Sequence, residues 1–524
     1  MQERETEFVF LATASQLEQL PRVLPRLADA FRVRPLNRVH DQYLDTPTRL
    51  LMRSGVSCRL RRIGKRDTLT LKSLTPFKEG LADRFELSEK LAQEDWNWPG
   101  PLPGRDVRIR LLPLTRRLNV RCLFELMQER RVYDIWTREG AHLEVSADRV
   151  CFAGVECTDV LQRLEVELRD GLPASLVKFA SDLQHKLGLK PAGESKFTFG
   201  LRMAGLSLPV LSEGPSLRIR PEDPMRKAAA RALTLGFRRL LWHVPGTRLG
   251  VDSTCLHDMR VSIRRLRTVL RLFRGALPPR TSEKLAHELK WLGRSLGAVR
   301  DLDVHLQECQ VMRLQQSGTS HHPAAGICRQ EMIRRREQAH DALCRDLRSN
   351  RFKALKKTCR EMIRKSNRPV ATGSPDIIRA GAREMGFKLG QILTAGRKIV
   401  PDTPDKALHR LRIHCKHLRY VCEILADVYG KPIAKMARRL TGLQDVLGRH
   451  HDAVMAQAMI ERVMAEIAAA TDGVAMVSAL GGCLANWRQE QFIRRAAFAD
   501  AWKAFDHKKP RRQFLKTLRH YERR

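Results

Sequence analysis

The sequence predicts an α+β multidomain protein: an N-terminal antiparallel β-barrel tunnel, then an all-α region built as a duplicated four-helix bundle. Three observations predict this. In residues 1–200, charged and apolar residues alternate at period two. Beyond a stretch rich in proline and glycine, apolar residues recur at three- and four-residue spacing. Within that helical region a basic stripe occurs twice with the same internal spacing.

The strands come first. Short alternating runs start at Glu5, Ser57, Thr68, Arg84 and Leu164. Period two puts Glu5 with Glu7, Arg59 with Arg61, Arg84 with Glu86, and Glu165 with Glu167, each pair on one strand face. Apart from Thr6, the intervening positions are apolar. Either the charges face water on a half-solvated sheet, or the sheet closes into a barrel wide enough for a polar ligand. Charge pairs of both signs on several strands favour the barrel.

Residues 205–224 carry Pro209, Gly214, Pro215, Pro221 and Pro224 and read as a linker. Helical periodicity follows in Met225–Trp242, Cys255–Leu277, Lys284–Leu296 and Gln330–Ile363. After a break at Asn367–Pro375 it resumes in Ile377–Ile399, Lys406–Val428, Ile433–Met464 and Val474–Phe505. Two sets of four helices suggest two bundles. The expected domains are a barrel over 1–204, a linker over 205–221 and a helical domain over 222–520, with halves 222–366 and 376–520.

The duplicated stripe is His257, Arg260, Arg264 and Arg267 in one copy, and His409, Arg412, Lys416 and Arg419 in the other. Offsets of three, seven and ten residues from each histidine keep four side chains within roughly 80° of one helical face. Each stripe is followed by Leu-Gly-x-x-x-Asp: Leu296-Gly297 with Asp301, and Leu447-Gly448 with Asp452. Fixed positive charge on a rigid scaffold requires an anionic partner. Arginine offers phosphate a planar fork of donors and lysine a point charge. Stripes on adjacent helices can line a groove matching a chain of phosphates. The histidines add charge when protonated, so affinity is expected to rise at mildly acid pH. The aspartates Asp301, Asp303 and Asp452 are expected to orient the basic residues.

Charge distribution agrees. Residues 1–200 hold 33 Lys+Arg and 28 Asp+Glu, and the rest of the chain holds 63 and 30. The excess therefore belongs to the helical part, which suits nucleic acid, an anionic membrane or a polyanion. No aromatics interleave with the stripes, which argues against base stacking and single-stranded nucleic acid. Twelve cysteines without a CxxC pair, the closest being Cys151/Cys157 and Cys415/Cys422, read as free thiols in a reducing compartment. The longest uncharged run, Gly473 to Trp487, is too short to span a bilayer. Met1–Phe10 is too acidic and polar for a secretory signal. A cytoplasmic location is expected.

The segments His257–Arg267, Leu296–Val304, His409–Tyr420 and Leu443–Gly448 resemble the two halves of a CHAD domain over about 222–520. The resemblance implies a duplicated helical fold that binds inorganic polyphosphate along a basic groove. Residues 1–205 resemble a CYTH domain, the triphosphate tunnel metalloenzyme fold. The matching segments are Glu5-Thr6-Glu7, Tyr43–Pro47, Arg59–Arg62, Thr70–Lys72, Arg84–Glu86, Glu144 with Asp148, Glu165–Glu167 and Ser195-Lys196. The pairing is similar to that of bacterial inorganic triphosphatases.

What this resemblance implies is metal-dependent hydrolysis of inorganic triphosphate or short polyphosphate. Glu5, Glu7, Glu165 and Glu167 would be the catalytic carboxylates holding Mg²⁺ or Mn²⁺. Arg59, Arg61, Lys72, Arg84 and Lys196 would bind the phosphates. The helical part would capture polyphosphate or localise the protein on polyphosphate granules. Three departures count against catalysis. Val9 stands where the family has a lysine, Phe199 where it has an arginine, and Ser88 where a second acidic residue is expected. Arg202 is the nearest candidate to compensate for Phe199. The alternative is a non-catalytic polyphosphate-binding protein with a degenerate barrel. Adenylate cyclase chemistry and hydrolysis of an organic triphosphate remain as further readings of the same barrel.

Overall fold

The computed structural model describes residues 3–77, 79–92, 94, 96–115, 118–153, 160–211, 218–315, 323–367, 377–468 and 473–523. The strands are β1 (Glu3–Leu11), β2 (Ala30–Val33), β3 (Asn37–Asp45), β4 (Val56–Ile63), β5 (Arg66–Ser73) and β6 (Leu81–Leu91). They continue as β7 (Gly100–Pro101), β8 (Asn119–Trp136), β9 (His142–Phe152), β10 (Leu161–Asp170) and β11 (Lys190–Pro191). Eight of them form a closed antiparallel barrel in the order β10-β9-β8-β3-β4-β5-β6-β1, and β1 pairs back onto β10. The strands β2 and β7 add to β8, and β11 adds to β1.

Six helices accompany the barrel: α1 (Ala14–Glu18), α2 (Leu20–Leu27), α3 (Leu50–Arg53), α4 (Asp106–Leu111), α5 (Pro173–Leu187) and α6 (Lys196–Met203). They explain the inverted polarity of the sheet. Outward-facing Phe10, Leu143, Val145, Leu164 and Val166 pack on α2 and α5 through Leu20, Leu24, Leu176, Phe179 and Leu183. On another side Cys58, Leu60, Leu69 and Leu71 pack on Leu51 of α3 and on Val107 and Leu111 of α4. With the apolar faces buried outward, the charged faces are left to line the interior. Helix α5 begins with Pro173 at its first turn and ends at Gly188, whose φ of 62° suits a left-handed cap. Helix α6 starts at Ser195, which forms a capping box with Thr198.

The helical region runs α7 (Met225–Leu249), α8 (Ser253–Leu272), α9 (Pro279–Gln315), α10 (Pro323–Arg348) and α11 (Asn350–Ser366). A second series follows: α12 (Ile377–Gly396), α13 (Asp405–Tyr429), α14 (Lys431–Ala468), α15 (Gly473–Phe505) and α16 (Lys508–Arg523). Helices α12 to α15 pack in sequence, and α16 returns onto α12. The single helix expected over Gln330–Ile363 is two, because the Ser349 hydroxyl caps the Phe352 amide and starts α11. Helix α16 was not anticipated. The 212–217 part of the expected linker, including Gly214 and Pro215, lies outside the described residues, as does 368–376 of the expected break.

By packing, the chain divides into two units. One comprises Met1–Leu211, Trp242–Asp258 and Glu308–Thr319; the other comprises Ser212–Leu241, Met259–Gln307 and Ser320–Arg524. Cys58, Cys122, Cys255, Cys344, Cys359, Cys415 and Cys422 are free thiols. Cys151 is disulfide-bonded, against the expectation of free thiols throughout; Cys157 lies outside the described residues. No helix among the described residues is long and apolar enough to cross a membrane.

Candidate functional site

All nine barrel residues expected to carry function line one cavity: Glu5, Glu7, Arg59, Arg61, Lys72, Arg84, Glu165, Glu167 and Lys196. Strand register brings them there. Glu5 on β1 is opposite Arg84 on β6, and Glu7 is opposite Glu167 on β10. Lys72 on β5 is opposite Glu86 on β6. Lys196, the first residue of α6, enters from the capped helix end.

The charges pair across the cavity. The Lys72 ammonium bridges Glu5, Glu7 (3.3 Å) and Glu86 (3.4 Å), and Arg84 bonds Glu7. Arg61 donates from Nε and Nη2 to fully buried Asp41 at 2.7 and 2.8 Å, and Arg59 lies 3.7 Å from the same carboxylate. Three further cations line the cavity that the sequence reading missed: Arg130, Arg163 and Arg169. Arg130 donates to Asp148 (2.7 Å from both Nε and Nη2) and to Glu165 (2.9 Å). Lys196 joins Asp148 and Glu165. Arg169 bridges Glu167 at 2.8 Å and Glu144 at 2.9 Å.

This pairing divides the carboxylates electrostatically. Burial pushes the Glu5 carboxyl up to about 7, with Glu7 adding to the shift. Burial and then Glu5 push Glu167 up to about 9. Burial would raise Glu7 and Glu165 too, but Lys72 and Arg84 outweigh it for Glu7, and Lys196 and Arg130 for Glu165, so both stay below the usual range. Glu5 and Glu167, although bridged by Lys72 and Arg169, therefore hold a proton more readily than Glu7 and Glu165. Carboxylate oxygens are the donor type that a hard divalent cation takes. Glu165 is engaged by the cations on its own side, so the four glutamates do not stand as one equivalent set. Among the described residues, no three acidic, histidine or cysteine side chains are grouped closely enough to hold a metal.

The three departures have structural correlates. Val9 shares the inner parity of Glu5 and Glu7 and is fully buried. Phe199 is packed in an apolar cluster with Tyr43, Phe124, Phe197 and Leu201. Arg202, the expected substitute, stacks over Phe199 and pairs with Glu194 at 2.9 Å; it does not line the cavity. Ser88 donates to Glu86 at 2.9 Å, orienting that carboxylate rather than adding another.

In the helical unit Arg260 and Arg264 of one stripe approach Arg412 and Lys416 of the other, whereas His257 falls in the unit that holds the barrel. Arg260 donates to the Gly297 carbonyl (3.2 Å) and to Asp301 (3.1 Å), while Arg412 stands 3.8 Å from Asp452. Each Leu-Gly-x-x-x-Asp segment sets its aspartate beside a stripe arginine, hydrogen-bonded in the first repeat and at ion-pair distance only in the second. Glu423 of α13 bridges Arg265 of α8 at 2.8 Å and Arg419 at 3.4 Å, tying the two stripe helices together. Burial, then Arg412 and Arg264, lower Lys416 to about 6. The rings of His409 and His451 meet with their Nδ1 atoms 3.1 Å apart. No carboxylate lies within ion-pair distance of Arg264, Arg267 or Lys416 among the described residues. Those cations, together with Arg260 and Arg412, make a patch whose neighbours are mostly other cations.

Comparison with known proteins matches the CYTH domain model to residues 3–198 and the CHAD domain model to residues 231–461. Two uncharacterized proteins of Mycobacterium tuberculosis, from strains CDC 1551 and H37Rv, are each 28% identical over 298 residues, covering 55% of this chain and 53% of theirs. The chain spans about half the length of the curated relatives it matches. Among solved structures, the CHAD domain from Ricinus communis is similar with a TM-score of 0.47 and 22% identity, over 56% of this chain and 97% of that one. PptA from Streptomyces chartreusis follows with a TM-score of 0.44 and 20% identity, over 54% and 100%. An adenylyl cyclase-like protein of Hippeastrum, described as having a dominant triphosphatase activity, gives a TM-score of 0.29 and 18% identity, over 39% and 98%.

Proposed function

We propose, from the premise that this chain joins a CYTH domain to a CHAD domain, that it is an enzyme hydrolysing inorganic triphosphate or short polyphosphate, with its helical part binding polyphosphate. The observation that carries this reading is the convergence of eight cationic side chains and six glutamates on one barrel cavity. Such a lining suits an anion with several adjacent charges and a divalent cation beside it.

A bound Mg²⁺ or Mn²⁺ would polarise a phosphoryl oxygen and lower the pKa of a water it carries. Glu5 and Glu167 are the groups that would hold it, with Glu7 adjacent. Arg59, Arg61, Lys72, Arg84, Arg130 and Lys196 neutralise phosphoryl oxygens and hold the chain in line. Asp41 and Asp148, both fully buried, fix Arg61 and Arg130 by two bonds each, so those donors are preorganised. The stripes on α8 and α13 would capture polyphosphate for the barrel or place the protein on polyphosphate granules.

A specific feature favours the second reading, a non-catalytic polyphosphate-binding protein. The Lys72 ammonium already sits among Glu5, Glu7 and Glu86, so it occupies a carboxylate that a metal would need. Phosphate release from tripolyphosphate decides between the two, measured with Mg²⁺, with Mn²⁺ and with chelator. Metal-dependent release abolished by Glu5→Gln or Glu165→Gln supports the enzyme; rates unchanged in both variants refute it. No release, with polyphosphate binding lost on Arg264→Glu and Lys416→Glu, establishes the binding protein. Release from a nucleoside triphosphate but not from tripolyphosphate would assign different chemistry to the barrel.

A further inference from the structure

We infer that Arg163 is a further anion-binding residue of the tunnel, one that takes a phosphoryl oxygen of the condensed phosphate directly onto its guanidinium. This rests on reading the barrel as a condensed-phosphate site. Arg163 shares the inner parity of Glu165 and Glu167 on β10, lines the cavity, and is only 1% exposed. It differs from every other cation in that lining. Each of the others has a carboxylate within 4 Å, whereas Arg163 has none among the described residues.

The register shows why. Its partner on β9 is Asp148, whose two oxygens are already taken by Arg130. On β1 its partner is Leu11, and its diagonal neighbour on the inner face is Val9. Glu165, Glu7 and Glu194 act on it only from beyond ion-pair distance. One Nη2 bond to the Glu194 carbonyl is made, and Nε is buried with no partner. A desolvated guanidinium with no counter-charge is costly to keep. An anionic ligand entering the cavity supplies the counter-charge, and the fork geometry of guanidinium suits phosphate oxygens.

The test uses the full chain carrying Arg264→Glu and Lys416→Glu, so that the helical stripes do not report. Tripolyphosphate is titrated calorimetrically in chelator, where no metal-dependent turnover occurs. Arg163→Met is expected to weaken binding at least tenfold while the ligand-free unfolding temperature stays level or rises. Arg163→Lys is expected to recover part of the affinity. Affinity within twofold of the background would overturn the inference, as would a fall in ligand-free stability with affinity intact, since that is what anchoring the Glu194 carbonyl alone would give. If Arg163→Met does not fold, Arg163→Gln, which keeps a donor for that carbonyl, carries the same comparison. Should the background protein itself not bind tripolyphosphate, the reading of the barrel fails and this inference with it, an outcome distinct from loss of the Arg163 effect alone.

Discussion

Replacing Asp148 with asparagine removes one charge and one acceptor oxygen but almost no volume, so its effect separates the polar network from packing. Asp148 is fully buried and accepts two 2.7 Å bonds from Arg130 and one from Lys196. Glu165 is the other carboxylate in this group, 2.9 Å from each cation. Two cations face two anions in the native barrel; Asp148→Asn leaves two facing one. Breaking a buried pair on one side costs about 3–5 kcal/mol. For a domain of roughly 200 residues, at about 2–4 °C per kcal/mol, the barrel transition should fall by about 6–20 °C. Calorimetry of the full chain reads this, and hydrogen exchange in β8, β9 and β10 locates it. Tripolyphosphate should restore part of the loss, since a ligand at 100 times its Kd returns about 2.7 kcal/mol. A transition within about 2 °C of the native one would refute the claim that this network holds the cations in place.

Two other perturbations test separate parts of the molecule. A methyl group at Gly200 would overlap the Phe124 ring, so Gly200→Ala should cost about 1–3 kcal/mol and loosen α6 against the barrel; proteolysis of the α6 segment at an unchanged rate would show that the ring simply moves. Polyphosphate binding should depend on pH through Lys416, held at about 6 by burial, Arg412 and Arg264 when no ligand is present. A bound polyanion raises that value, so binding takes up a proton: affinity is full below pH about 6 and falls by up to about tenfold per pH unit above it. Calorimetry in buffers of different ionisation enthalpy checks the proton uptake, which Lys416→Arg should remove.

Much of the tunnel was legible because period two is a strict rule once a strand is recognised. Glu5 and Glu7, Arg59 and Arg61, and Glu165 and Glu167 all landed on the inner face. Applied two positions either way from Glu165 and Glu167, the same rule would have placed Arg163 and Arg169 inside. Arg130 was harder to see, because β8 runs for 18 residues with a register shift near Tyr43 of its partner strand, and its inward positions carry mixed chemistry. The stripes were legible from repetition. The break between α10 and α11 was not, because apolar spacing continues across Ser349 and only the hydroxyl cap marks the boundary. Pairing partners were beyond reach altogether: which carboxylate neutralises which cation depends on distances across the barrel, not on spacing along the chain.

The Lys72 ammonium touching three glutamates has a consequence for which anions can enter. Without ligand, most cations of the cavity are already satisfied by the barrel's own carboxylates. An arriving anion does not fall into a positive void; apart from Arg163, it must compete for donors that the barrel's own carboxylates already hold. A single phosphate displaces too few at once to compensate for the carboxylates it strands. A chain of phosphates exchanges several partners in one event, and a divalent cation arriving with it gives Glu5 and Glu167 something to hold instead. Selection for condensed phosphate over the abundant monomer would then follow from this internal competition, with no need for a size filter at the entrance.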